Sequence, residues 1–304
     1  MVGTPIGNLS DASPRMRSTL AEASVIAAED TRTLAKLVAG LGIDHTARVI
    51  SVHDHNEAKR AAEVVAAIAA GQHVALVTDA GMPAVSDPGY RVVAACVAAG
   101  QQVTVVPGPS AAIAALAVSG LPSHRFTFAG FLPRKAGELR RTLEPLRHDT
   151  ATHIFFESPK RISTSLGIIA EVLGAERDMV ICRELTKLHE EILRGTTGEL
   201  AATVTQPLRG EVAVVIAGAG ASGDTRTPGE VRTTRTQGET HNTRGEVHRD
   251  ARMDIHVSQE HVVADMLRLI DGGMRTKAAA TEVARWYGIS TRHAYEAYIH
   301  ADSD

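Results

Sequence analysis

Short aliphatic runs recur along the first two thirds of this chain, each followed by a polar or Gly/Pro turn and then a helical stretch. Val25-Ile26-Ala27-Ala28, Arg48-Val49-Ile50-Ser51, Val74-Ala75-Leu76-Val77 and Val103-Thr104-Val105-Val106 read as strands. Helical patterns separate them, opening at Pro14, Thr31, Asn56 and Gly89. Asp11 or Ser13 is placed to cap the first helix and Asn56 the third, while glycines at 40, 71 and 100 stop three of them. Strands that alternate with helices in this way predict an α/β fold with a mostly parallel sheet. Runs without polar alternation predict strands covered on both faces.

A second series follows the turn Pro107-Gly108-Pro109. Ser110 precedes a helix over 111–119. Phe126–Phe128, His153–Phe156, Met179–Cys182 and Val212–Ala217 read as strands, and Ala136–Leu146, Lys160–Leu173 and Thr197–Val204 as helices. The expected organisation is an N-terminal α/β lobe over 1–108 and a second α/β lobe over 109–220. Residues 221–257 contain almost no large apolar side chains and cannot bury enough surface to offset chain entropy. They read as a disordered polar linker. Apolar periodicity returns over 258–304, a small helical appendage like a helix-turn-helix, with helices at Thr276–Tyr287 and Thr291–His300. A first core strand normally needs about five residues and only two or three precede the turn at Pro5, so either the start is placed too late or the strand is short here.

Aromatic residues make up only 3% of the 304 residues and the formal charge is −3. That balance excludes a protein that coats nucleic acid electrostatically or by extensive base stacking. Any RNA contact is local. The best basic cluster is Arg134, Lys135, Arg140 and Arg141, with Arg147 following. Cys96 and Cys182 lie in apolar segments, so a reducing, cytoplasmic setting is expected. No membrane-length apolar run or signal peptide is evident. His53 and His55 lack a convincing third ligand, so no metal is expected. Gly218 to Gly223 spells a dinucleotide fingerprint after a strand, but no helix follows it, so it lacks the required context.

Gly/Pro turns at strand ends concentrate the chemistry: Gly3 to Asn8, Asp79 to Pro83, Ser86 to Gly89 and Pro107 to Ser110. Ligands of open α/β sheets bind beyond the carboxyl ends of strands, where glycine lets backbone approach them closely. The same segments carry a resemblance. Thr4-Pro5-Ile6-Gly7-Asn8, Ala28-Glu29-Asp30-Thr31-Arg32, Asp79-Ala80-Gly81-Met82-Pro83 through Arg91, Pro107-Gly108-Pro109-Ser110-Ala111, Gly130-Phe131-Leu132-Pro133-Arg134-Lys135, Phe156-Glu157-Ser158-Pro159 and Arg183–Glu191 together resemble the tetrapyrrole methylase superfamily, and within it the small-subunit rRNA (cytidine-2′-O-)-methyltransferases.

The resemblance implies two α/β lobes with S-adenosylmethionine in the cleft between them, and a homodimer acting on 16S rRNA of an assembled small ribosomal subunit. It implies cofactor contacts from Thr4, Pro5, Asp79, Gly81, Pro83, Ser110, Ala111, Phe156 and Glu211. Transfer to a ribose hydroxyl requires positioning and removal of a proton. Lys187 is the first candidate for that role, as a lysine shifted toward neutrality by desolvation and by a cationic neighbour such as Arg183, with Glu184 and Glu190 beside it. The competing readings are a structural ion-pair network of Arg183, Glu184, Lys187 and Glu190, or phosphate binding by Lys187. The rival functions are a tetrapyrrole C-methyltransferase and a non-catalytic cofactor-sensing or RNA-binding module.

Overall fold

The computed structural model describes residues 1–221, 232–235, 262–263, 266–267, 269–270, 274–287 and 290–301. The chain divides into two compact units, Met1–Thr240 and His241–Asp304.

The first unit holds two sheets. The smaller is parallel, with β1 (Val25–Ala28) between β2 (Arg48–Ser51) and β3 (Val74–Val77). Alternate residues of β1 face opposite layers. Ile26 and Ala28 pack with α1 (Pro14–Glu22) and α2 (Thr31–Leu41), against Met16, Leu20, Leu34 and Val38. Val25 and Ala27 pack with α3 (Glu57–Ala69) and α4 (Tyr90–Ala98), against Ala61, Val64, Val92 and Cys96. Helices therefore cover both faces, as the unalternated aliphatic runs require.

Residues 1–3 form no strand, only an isolated bridge of Val2 with Val106. Val2 N–H donates to the Leu76 carbonyl at 2.9 Å, and Val106 N–H donates to the Met1 carbonyl at 2.8 Å. Met1 to Gly3 thus bridges β3 and residue 106. The expected strand over 103–106 does not form, and only Val106 makes a bridge, to Val2.

The larger sheet is mixed. Its order is β4 (Phe126–Phe131), β5 (Thr152–Glu157), β8 (Val212–Ile216), β6 (Asp178–Arg183), β7 (Glu191–Thr196), β9 (Arg232–Arg235). Only β4 and β5 pair in parallel. The helices α6 (Ala136–Leu143), α7 (Ile162–Leu173) and α8 (Thr197–Thr203) contribute Leu139, Leu166, Ile169 and Leu200 to the core on one face. The helix α5 (Ala111–Ser119) covers the other with Ala112, Ala115 and Leu116. A capping box at Thr196 and Glu199 starts α8.

Three sequence expectations change here. β7 is not legible in the sequence as a strand, because its Arg194 and Gly195 interrupt the aliphatic pattern. Arg232–Arg235 do not belong to a linker but pair antiparallel with β7; residues 222–231 and 236–257 lie outside the described residues. Asn56 does not cap α3. Its Oδ1 accepts from His53 N–H at 2.9 Å and its Nδ2 donates to the Ser51 carbonyl at 3.1 Å.

In the second unit, Thr276–Tyr287 and Thr291–Ala301 are helical. Ala279, Ala280, Val283, Ala294 and Ala297 pack together with Val262 and Met266. Arg292 pairs with Glu296 at 2.7 Å. The side chains of Arg285 and Trp286 lie outside the described residues.

Candidate active site

A cavity of about 340 Å³ opens between the strand-end loops of the parallel sheet and the mixed sheet. That is within the usual range for a small-molecule site, roughly 300–1,000 Å³. One wall comes from the loops after β1 and β3: Glu29, Asp79, Ala80, Gly81, Met82 and, further on, Val85, Ser86 and Asp87. Ser110 and Ala111, at the start of α5, and Ile6 of the first loop close one side. The opposite wall is built by Phe131, Phe156 to Pro159, Cys182, Leu185 and the Gly210 to Ala213 turn.

Six of the nine expected cofactor residues line this cavity: Asp79, Gly81, Ser110, Ala111, Phe156 and Glu211. Thr4, Pro5 and Pro83 are buried and absent from the lining. Thr4 exchanges backbone hydrogen bonds with Gly81, at 2.9 and 3.1 Å, so it holds that loop from behind. The first loop and the turn at 107–109 touch backbone to backbone. A Cβ on Gly3 would lie 2.6 Å from the Gly108 Cα, closer than real Cβ contacts allow. Ser110, at the N-cap of α5, makes no side-chain capping bond and lines the cavity.

The parallel-sheet wall is acidic. Asp79 N–H donates to Glu29 Oε2 and Asp30 N–H donates to Asp79 Oδ1, both at 3.2 Å. Burial raises the Glu29 and Asp79 carboxyls above their ordinary range, and the charge of Asp79 adds to the effect in Glu29. Asp87 is pushed up to about 7 by burial and then by the charges of Glu29, Asp79 and Asp54. A wall of crowded carboxylates is electrostatically unsatisfied until a cation enters. The facing wall is apolar and aromatic. The Phe156 ring meets Phe128 and Phe131 edge-on, at centroid distances of 4.9 and 5.5 Å. Burial pushes the Cys182 thiol up to about 12, which keeps it protonated and apolar in character. Asp87, Met82, Glu157 and Leu185 line the site without having been singled out as cofactor contacts from the sequence; the signal was that Met82 and Asp87 fall within strand-end turns and Glu157 and Leu185 within segments that carry the resemblance.

Lys187 is not a neutral base in this arrangement. Its Nζ donates to Glu184 Oε1 at 2.8 Å and to Glu211 Oε2 at 2.9 Å. Burial alone lowers its pKa, but the two carboxylates outweigh that and the result is raised. Arg183, the cation expected to depress it, pairs instead with Glu191 at 3.0 Å. Glu184 also accepts the Glu211 N–H at 2.9 Å, so this ion-paired cluster fixes the Glu211 turn of the cavity wall. Glu190 Oε2 accepts the Thr186 N–H at 2.7 Å and closes the 184–190 turn. Glu184 and Thr186 both have positive φ, 53° and 68°, the kind of local strain that gathers at functional turns.

The basic cluster is partly neutralised. Arg140 makes a bidentate pair with Glu171, at 2.7 and 2.9 Å, and Lys135 lies 3.3 Å from Glu138. Among the described residues, Arg134 and Arg141 are exposed and have no ion-pair partner.

Residues 1–201 match the family of Tetrapyrrole (Corrin/Porphyrin) Methylases. The chain belongs to the tetrapyrrole methylase family. Within it the chain is 41% identical over 297 residues to the ribosomal RNA small subunit methyltransferase I of Mycobacterium tuberculosis (strain CDC 1551 / Oshkosh), spanning 97% of this chain and 92% of that protein. It is 48% identical over 227 residues to the protein of the same name from Mesorhizobium japonicum, spanning 74% of this chain and 76% of that one. The crystal structure of the methyltransferase CobJ shares the fold, with a TM-score of 0.55 at 20% identity over 72% of this chain and 92% of that chain. This tetrapyrrole methylase is an S-adenosylmethionine-dependent methyltransferase. The cavity fits that cofactor. Its sulfonium and ammonium suit the carboxylates Glu29, Asp79 and Asp87, and its adenine suits the apolar wall around Phe156 and Leu185.

Proposed function

We propose that this methyltransferase modifies 16S rRNA of the small ribosomal subunit, on the 2′-oxygen of a cytidine ribose. The observation that carries the reading is a cavity with an acidic wall for a cationic cofactor, joined at Phe131 to the segment bearing the exposed cation Arg134. Similarity to proteins named ribosomal RNA small subunit methyltransferase I supports the choice of RNA over a tetrapyrrole.

In this reading Asp79, Gly81, Ser110, Ala111, Phe156 and Glu211 hold the cofactor, with Glu29 and Asp87 facing its positive charges and Thr4, Pro5 and Pro83 supporting the loops. The bound cofactor supplies an activated methyl group on sulfur. The protein's contribution is to hold a ribose hydroxyl in line with that methyl and to exclude water, which supplies much of the acceleration for an already reactive electrophile; the methyl would leave sulfur as a neutral thioether and the hydroxyl proton would pass to water. Glu184, Lys187 and Glu190 serve by fixing the 184–190 turn and Glu211. Arg134, Lys135, Arg140 and Arg141 form the RNA-facing flank, with Arg134 and Arg141 making the phosphate contacts. The protein acts as a homodimer in the cytoplasm. Support for a self-association face comes from α5, which is apolar on every side and leaves Ile113 and Val118 exposed.

The test is methyl transfer from labelled cofactor to small subunits that lack the modification, followed by mapping of the labelled nucleotide. Label on a cytidine ribose is expected; label on a base, or transfer only to a tetrapyrrole, would overturn the reading.

A further inference from the structure

Phe131 is an anomaly in a chain with so few aromatic residues. It lines the cavity, yet is 62% exposed. The backbone places it there by a specific device. Phe128 pairs with Ile154 and Phe131 with Phe156, so β4 spends three steps where β5 spends two. Strict alternation would send Phe131 to the face opposite Phe128. The extra residue returns it to the same side, where both rings pack edge-on against Phe156. Gly130, inside this bulge, has φ +69°, a conformation that an L side chain rarely adopts.

The segment beyond the bulge is firmly held. Leu132 N–H donates to the Phe156 carbonyl at 3.0 Å. Arg161 donates to the Leu132 and Pro133 carbonyls, both at 3.2 Å, and is itself paired with the buried Glu157. The backbone that carries Phe131 is therefore fixed, its ring meets Phe156 edge-on and is otherwise largely open, and the exposed cations Arg134 and Lys135 follow three and four residues later. Bulges re-aim side chains beside active sites, and an aromatic ring next to a phosphate-binding cation is the arrangement that grips an unstacked base.

We propose that Phe131 is a stacking platform for a nucleobase of the RNA substrate, at or next to the methylated ribose, and so a specificity-determining residue at the cavity mouth. The inference rests on the rRNA reading above. It assigns Phe131 to the RNA rather than to the cofactor.

Three variants of the full-length protein test it: Phe131→Leu, which keeps apolar bulk without a π face, and Phe131→Tyr and Phe131→Trp, which keep the face. Steady-state methylation of unmodified small subunits is measured beside cofactor affinity by titration. Phe131→Leu is expected to raise KM for the subunit about five- to a hundredfold, the range for losing one stacked base, with cofactor Kd unchanged. Phe131→Tyr and Phe131→Trp should retain near-wild-type KM. An unmoved KM in Phe131→Leu overturns the platform, as does an equal loss of cofactor affinity, or failure of Tyr and Trp to rescue. If the wild-type protein binds cofactor but labels no rRNA, the functional reading fails; normal wild-type turnover with an unmoved Phe131→Leu sinks the platform alone.

Discussion

Asp87 carries the sharpest electrostatic consequence in the molecule. Its carboxyl sits among Glu29, Asp79 and Asp54, and burial with their charges pushes its pKa up to about 7. A carboxyl whose pKa rises on folding favours the folded state fully only below its unfolded value, and that advantage is lost as pH climbs through about 7. A cation bound beside it reverses the preference, because the ionised form then gains a partner. Cofactor binding should therefore release a proton near neutrality, and affinity should rise between about pH 6 and pH 8, by at most about tenfold per unit for one proton. Calorimetry in buffers of different ionisation enthalpy measures that proton directly. Asp87→Asn should flatten the pH dependence; a variant that keeps the full wild-type slope would assign the proton elsewhere.

Among the elements, α4 and the loop before it show how a distant side chain shapes the cavity. Glu57, in the first turn of α3, is buried, and its Oε1 accepts the N–H groups of Gly89 and Arg91 at 2.8 Å each. The carboxylate thus caps the N-terminus of α4 from another helix, where negative charge is favoured. It anchors the end of the loop that brings Val85, Ser86 and Asp87 to the site, and that loop holds Ala84 and Ser86 at positive φ, 68° and 64°. Removing the carboxylate strands two donors beneath the surface. Glu57→Ala should cost about 2–3 kcal/mol of stability and raise cofactor KM more than it lowers kcat. Glu57→Gln, which can still accept one bond, should recover part of both. Thermal melts and cofactor titrations separate the outcomes, and a loss of stability with cofactor KM unchanged would confine Glu57 to a structural role.

For the molecule as a whole, RNA binding must be local because the net charge of −3 gives no long-range attraction. Arg134 and Arg141 are the exposed cations of the flank without ion-pair partners among the described residues, whereas Arg140 and Lys135 each have a carboxylate partner. Charge reversal at Arg134 and Arg141 should weaken subunit binding and reduce the salt slope by about one for each phosphate that is no longer neutralised. Arg140→Glu should do less to the slope and more to stability, through Glu171. Binding curves across a salt series decide between them. Equal slopes in all variants would make Arg134 and Arg141 ordinary solvated side chains.

Most helices and strands of the first unit are legible in the order of the residues, because aliphatic runs, prolines and glycines act on their immediate neighbours. The strand-end turns are legible too, and six of the residues expected at the cofactor do meet in one cavity. The departures share one cause. Val103–Val106 is aliphatic enough for a strand but makes a single bridge, from Val106 to Val2; β7 is interrupted by Arg194 and Gly195 yet finds partners on both edges, in β6 and β9. Asn56 has a capping side chain that bonds elsewhere. Lys187 has a basic neighbour in sequence but two carboxylates in space, one of them 24 residues away. Local composition settles which elements a segment favours, since propensity and periodicity depend on adjacent residues. Which charges meet, which bulge turns Phe131 back onto Phe156, and which carboxylates crowd around Asp87 depend on contacts between residues far apart in the chain, and those exist only once the two sheets are packed.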